Sequence, residues 1–143
     1  MNESLKLRVR GDVKITIGKK VYDIKNTVQT TAVNIIRRCI GVGSPRISLI
    51  RVMNVNTTLA DAIVPVSQTT FIGNDGAVKF MAVFSETSFE GIFNGLELRA
   101  PSIGGQVQGS SEDIFSKISG IDPIEKTLDN QMIIEWILTV ELT

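Results

Sequence analysis

Near the end of the chain, apolar residues occupy every second position: Met132, Ile134, Trp136, Leu138, Val140 and Leu142. Strand side chains alternate between faces with a period of two, so this spacing puts all six on one side of an extended segment. Gln131, Glu135, Thr139 and Glu141 fall on the other side, interrupted by Ile133 and Ile137. A strand this long, with a tryptophan in mid-row, belongs in the centre of a sheet with a second layer over its apolar face. Trp136, Ile134 and Leu138 are thus core candidates. The two isoleucines predict that the outer face is partly covered as well. Trp136 as a ligand anchor is the weaker reading, because its whole row is apolar.

The same period appears at the other end of the chain. In "LKLRVRGDVKITI", Leu5, Leu7 and Val9 share one face, and Val13, Ile15 and Ile17 alternate with Lys14 and Thr16. A three-residue loop at Arg10-Gly11-Asp12 pairs Val9 with Val13, Leu7 with Ile15 and Leu5 with Ile17, which keeps one core face. The spacing therefore predicts an N-terminal hairpin over 5–17 whose outer face carries Lys6, Arg8, Arg10 and Lys14. Gly18-Lys19-Lys20 then turns the chain into a short strand, Val21–Ile24. The loop spells Arg-Gly-Asp, an integrin-type tripeptide, but chance and Gly-Asp turn chemistry account for it.

The period changes after Asn26-Thr27. Val28, Ala32, Ile35, Ile36, Cys39 and Ile40 form one stripe at helical spacing, which predicts an amphipathic helix over about 28–40 with Ile36 in the core. Asn26 or Thr27 suits its start, and Gly41 or Gly43 its end. Cys39, the single cysteine, lies on the apolar stripe and reads as core filler.

The remainder reads as strands. "RISLIRVMN" is one. "TTFIGNDGAVKFMAVF" is a hairpin, in which a tight Asp75-Gly76 turn would set Phe71 opposite Phe80, both in the core. "FEGIFNGLELRA" and "DIFSKISG" follow, separated by a Gly/Ser-rich loop over 101–111. Strands, one helix, then many strands predict a mainly β fold: an antiparallel β-sandwich with one helix and an N-terminal hairpin, a barrel being the alternative. The division expected is a basic hairpin appendage over 1–22 and a sandwich domain over 23–143.

Composition narrows the chemistry. The chain has 143 residues, no histidine and one cysteine. That removes Ser–His and Cys–His nucleophile pairs and the usual structural zinc ligand sets. Neither a phosphate-binding glycine loop nor a dinucleotide fingerprint is present. The carboxylate pairs Glu86/Glu90, Glu112/Asp113 and Glu125/Asp129 each have a plainer role beside a turn or loop. The reading is therefore a non-enzymatic protein with no cofactor, no metal and no small-molecule substrate. No apolar run reaches the length of a membrane-spanning helix, and no apolar signal core follows Met1; synthesis in a cytoplasm is expected. Net charge is zero but divided. Residues 1–51 carry 11 Lys and Arg against 3 Asp and Glu, and residues 52–143 carry 4 against 12. Such asymmetry suits copies stacking basic region against acidic region, or contact with nucleic acid. Nucleic acid is the weaker of the two, since Tyr22 is the sole aromatic near the basic residues.

Three segments carry a resemblance. "DIKNTVQTTAVNIIRRCIG" resembles a helix-opening segment of small virion proteins. Gly91-Ile92 through Gly95-Leu96 is similar to a segment that follows a glycine-turn hairpin in them. "IEKTLDNQMIIEWILTVEL", with Ile124-Glu125-Lys126 and Trp136-Ile137-Leu138, resembles their ending and is the most specific piece. Over about residues 23–142 the chain is thus similar, in pattern, to small β-sandwich structural proteins (tail, collar and fibre-base type) of tailed phages and archaeal viruses. It departs from them at Val52-Met53-Asn54-Val55-Asn56, where a glycine-rich stretch is replaced, and in the added basic hairpin. The resemblance implies a virion protein, made in the host cytoplasm, that assembles with itself and with other virion proteins. Lys6, Arg8, Arg10, Lys14, Lys19 and Lys20 would then dock subunits. The alternatives are a glycan-binding or host-surface module using the 101–111 loop, and a nucleic-acid-contacting portal or neck component using the hairpin.

Overall fold

The computed structural model describes residues 7–27, 47–56, 60–73, 76–100 and 114–142. These form ten strands: β1 Leu7–Ile17, β2 Lys20–Thr27, β3 Leu49–Asn54, β4 Ala62–Pro65, β5 Gln68–Ile72, β6 Ala77–Phe84, β7 Gly91–Arg99, β8 Ile114–Ile118, β9 Ile124–Lys126 and β10 Met132–Leu142. All pairings are antiparallel. One sheet has the order β2-β1-β10-β6-β5; the other runs β4-β3-β7-β8, with β9 also paired to β7. The fold is all-β and sandwich-like, and among the described residues there is no helix. The helix expected over about 28–40, with Ile36 and Cys39, lies outside the described residues, as do Lys6 and the 101–111 loop.

β10 organises the first sheet. It pairs with β1 on one flank and β6 on the other. Met132, Ile134, Trp136 and Leu138 are buried in a core shared with Ile50, Val52, Phe93, Leu96 and Leu98 of the facing sheet. Ile133 and Ile137 on the outer face are half-buried.

The N-terminal hairpin exists, but not where its turn was expected. β1 runs straight through Arg10-Gly11-Asp12, with Gly11 in register with Leu138 and with Asn26. The odd-numbered positions Val9, Gly11, Val13, Ile15 and Ile17 stay on one face whether the chain turns or continues, so alternation alone could not separate the two readings. An eleven-residue partner strand offers a backbone ladder to every residue from Leu7 to Ile17, which a turn would forfeit. The turn instead falls at Gly18-Lys19, closing Ile17 against Lys20. Gly18 has φ +59° and Lys19 has no positive φ, the pattern of a type II′ turn. The Arg-Gly-Asp tripeptide therefore lies flat within a sheet, with Gly11 buried, and not at a hairpin tip.

Nor is this hairpin set apart from a completed sandwich. Val13, Ile15 and Ile17 belong to the same core cluster as Trp136. A boundary between 22 and 23 would cut through β2.

The β5–β6 hairpin is shifted by two residues from the expected register. Phe71 faces Val78, Thr69 faces Phe80, and the ladder closes at Ile72 and Ala77, so the loop has four residues. Gly76 sits where β10 holds it: Val140 N donates to Gly76 O at 3.0 Å, and a Cβ on Gly76 would lie 2.5 Å from Val140 O. A two-residue shift preserves faces, so Phe71 and Phe80 still point to the same side. Their fates differ. Phe80 is buried against Trp136, whereas Phe71 is 82% exposed. The two sheets explain this: β6 packs over β4 and β2 over β8, which leaves β5 beyond the last strand of the opposing layer. Phe71 is on the inward side of a strand that no described strand of the facing sheet covers, and at 82% exposure it is not a core residue.

Candidate functional site

The buried polar residues come first, because each must find a partner away from water. In β7, Leu96 and Leu98 enter the core, and the intervening Glu97 and Arg99 are 3% and 1% exposed. Glu97 Oε1 accepts from Arg99 Nε at 2.9 Å and from Arg51 Nη1 at 3.2 Å, and it forms an ion pair with Arg99 Nη2 at 2.7 Å. Arg51 Nη2 reaches Asp61 Oδ2 at 2.6 Å, and Asp61 Oδ1 accepts from the backbone N–H of Asn54 at 2.7 Å. Burial opposes the Arg51 cation, but the hydrogen bond it donates to Asp61 and the charge of Glu97 outweigh it and hold its pKa above the ordinary arginine value. The cluster fastens β3, the start of β4 and β7 to one another. A carboxylate oxygen already accepting two guanidinium hydrogen bonds, and ion-paired to both arginines, is poorly placed to take a proton from a substrate.

A second buried cation sits at one end of the same sheet. Lys126 in β9 is fully buried, and its Nζ donates to Glu86 O at 2.9 Å, Phe89 O at 2.9 Å and Thr127 O at 3.3 Å. All three protons are used, and the Ser85–Glu90 turn is tied to β9. Burial lowers the Lys126 pKa, against the opposing charges of Glu86 and Glu90. The folded protein thus releases this proton at lower pH than the unfolded chain. The desolvation cost falls away as pH rises toward the ordinary lysine value. Lys126→Met keeps the stem but strands the carbonyls. It is expected to lower stability by about 2–3 kcal/mol at neutral pH, and to flatten the rise of stability with alkaline pH, both readable in denaturant melts across pH.

Beside Lys126 lies a cleft of about 370 Å³, lined by Asn54, Glu90, Gly91, Glu125 and Thr127 among others. Its polar groups are largely committed. Asn54 Nδ2 donates to Glu90 O at 2.9 Å, and Asn54 Oδ1 accepts from Asn56 N at 3.1 Å. Gly91 has φ +143°, and a Cβ there would collide with the Asn54 amide. Gly91→Ala is expected to cost about 1–3 kcal/mol, seen as a lower thermal midpoint. Among the described residues no group of three or more Cys, Asp or Glu could hold a metal ion. Of the carboxylate pairs singled out above, Glu86 and Glu90 bracket the turn that Lys126 holds, and Glu112/Asp113 lie outside the described residues.

Of the basic residues expected to dock subunits, Lys6 lies outside the described residues, and the others are distributed over β1, the turn after it and the start of β2. Arg8, Arg10 and Lys14 share the outer face of β1, Lys19 is in the turn, and Lys20 begins β2 in register with Ile17. Lys14 stands between Asp23 and Glu135 in register, and Asp12 stands beside Lys25. Lys79 Nζ meets Glu135 Oε2 at 3.1 Å on the same face. Sheet pairing thus interleaves the positive N-terminal region with the negative remainder, and the division along the chain becomes a mosaic in space.

Arg51, Asp61, Glu97, Arg99 and the burial of Lys126 escaped the sequence reading. The available signal was two charges, Glu97 and Arg99, at i and i+2 within an otherwise apolar strand.

No family model matches the chain, and neither a curated protein nor a solved structure is similar to it at a significant level. The surface must therefore speak for itself, and its most distinctive feature is β5. Gln68, Thr69, Phe71 and Ile72 are all exposed on an edge strand that overhangs the opposite sheet.

Proposed function

We propose that the protein is a non-enzymatic structural subunit of a virus particle, of tail, collar or fibre-base type, which works through contacts with copies of itself and with other particle proteins. The observation that supports this reading is the overhanging β5, which leaves Phe71 82% exposed beside Ile72 at 38%. A large exposed aromatic on an open sheet edge has a role in contact with another chain or is a liability. The polar groups described above support it in a second way: those in the Glu97 cluster, and Lys126, are engaged in holding strands together. Virion localisation and the host cytoplasm as the place of synthesis belong to the same proposal and rest on the resemblance of the 23–142 segment. The test is the native mass of the purified chain over a wide concentration range, together with its recovery from isolated particles. A multiple of the monomer mass, and presence in particles, are expected. A strict monomer at high concentration that is absent from particles overturns the reading.

A further inference from the structure

Among the described residues the two sheets end on β2, β5, β4 and β8, and three of these edges are guarded. β2 carries Lys20, Asp23 and Lys25, all exposed. β4 is four residues long and ends in Pro65. β8 exposes Lys117. Charge, shortness and proline are the usual means by which an edge refuses further strands. β5, Gln68-Thr69-Thr70-Phe71-Ile72, has none of them: no charge, no proline and no register break against β6. Its β-branched and aromatic residues favour extended pairing. Among the described residues nothing pairs with its outer side.

From this contrast we infer that β5 is a self-association edge, and that its occupant is the β5 strand of a second copy, antiparallel about a two-fold axis at Thr70. The inference rests on the structural-subunit reading and names the surface that reading requires. Homotypic pairing of β5 brings no charge into the contact. About Thr70, Phe71 stands opposite the partner's Thr69 twice, Ile72 opposite the partner's Gln68 twice, and Thr70 opposite its counterpart. Aromatic–threonine and threonine–threonine pairs are favourable across strands, and no like charges meet. The edge at β2 would have to bring its own exposed lysines and aspartate against a second chain.

The overhang supplies the geometric argument. Each copy extends β5 one strand beyond the facing layer, which ends at β4. Joining two copies edge to edge places two overhangs side by side and leaves a gap in the facing layer two strand spacings wide, about 10 Å. Phe71 of both copies points into that gap from a common floor. Each ring then covers apolar surface that one copy alone leaves in water. The sheet becomes ten strands long, and the contact is isologous, so it closes at a dimer and leaves the charged β2 edges outermost.

Two variants test this in the intact chain. Phe71→Lys changes a side chain that touches no core residue, so its melt should match the wild type while dimerisation weakens roughly tenfold or more. Thr70→Cys, made with Cys39→Ser, puts one thiol per chain at the axis. Directly opposed Cα atoms in an antiparallel pair lie about 4.5–5.5 Å apart, within the span of a disulfide. Mild oxidation should give a cross-linked dimer, whereas Val21→Cys on β2 in the same background should not. A wild-type oligomer that persists in Phe71→Lys, with no Thr70→Cys cross-link, overturns the β5 edge and leaves the structural-subunit reading standing. A strictly monomeric wild type with no cross-link overturns the edge too, and recovery from particles then decides the broader reading separately.

Discussion

Trp136→Ala should lower stability by about 3–5 kcal/mol, which for a domain of ordinary marginal stability means largely unfolded protein at 37 °C. The side chain is fully buried at the centre of β10, with Phe80 beside it on β6 and Val13 beside it on β1. Removing the indole opens a cavity where two flanking strands and the opposite sheet converge, so collapse around it would need several strands to shift together. Trp136→Phe is the informative comparison. The indole Nε1 is buried with no hydrogen-bond partner among the described residues. Phenylalanine gives up ring volume but also removes that unsatisfied donor, so the loss should be clearly smaller, about 1–2 kcal/mol. Chemical denaturation of both variants decides the matter. An alanine variant that melts like the wild type would place the ring outside the core.

Deletion of residues 1–20 should abolish cooperative folding. The alternation pattern alone allowed a separable appendage, whose removal would leave a folded sandwich. The pairing argues against it, because β1 is an interior strand hydrogen-bonded to β10 on one side and β2 on the other. Its removal takes Val13, Ile15 and Ile17 from the core and exposes one side of the apolar row Met132, Ile134, Trp136 and Leu138. It also leaves the backbone of a central eleven-residue strand unpaired along one edge and strands β2 without its only described sheet partner. The expected readout is a shallow, non-cooperative thermal transition by circular dichroism and loss of the near-ultraviolet tryptophan signal. Ile15→Asp serves as the full-length counterpart: an unpaired charge at a fully buried position should unfold the protein as thoroughly. A cooperative melt in both would return the hairpin to the status of an appendage.

Much of this architecture is legible in the chain because period-2 alternation reports burial directly. Met132 through Leu138 read as one buried face, and they are one. Phe80, Ile134 and Leu138 were placed in the core for the same reason. Phe71 satisfied the same pattern and failed, because alternation reports which face a residue takes and not whether anything covers that face. The missing cover is a property of the opposite sheet, whose described strands end at β4, short of β5. The register of β5 with β6 likewise went to the longer range partner. The Asp75-Gly76 signal favours a tight turn locally, but Gly76 is seated against Val140 of β10, and the loop opens to four residues.

Charges were the least legible feature. A run rich in Lys and Arg followed by an acidic remainder suggests two poles, yet β1 is laid between β2 and β10, which sets Lys14 between Asp23 and Glu135. Composition along a chain says nothing of which strand will be its neighbour. Glu97 and Arg99 illustrate the same point from inside: each alone would be costly to bury, and they are buried as an ion pair that Arg51 of β3 joins.

The linear chain dictated the mainly β class, the apolar faces of β1, β6 and β10, and the glycine turn at Gly18, since each follows from neighbours within a few residues and from the two-residue period of an extended backbone. Strand partners, the straight passage through Gly11, the burial of Glu97 and Lys126, and the exposure of Phe71 were settled in three dimensions. They depend on which distant segments arrive beside one another, and a local pattern is compatible with several such arrangements until backbone pairing and core burial select one.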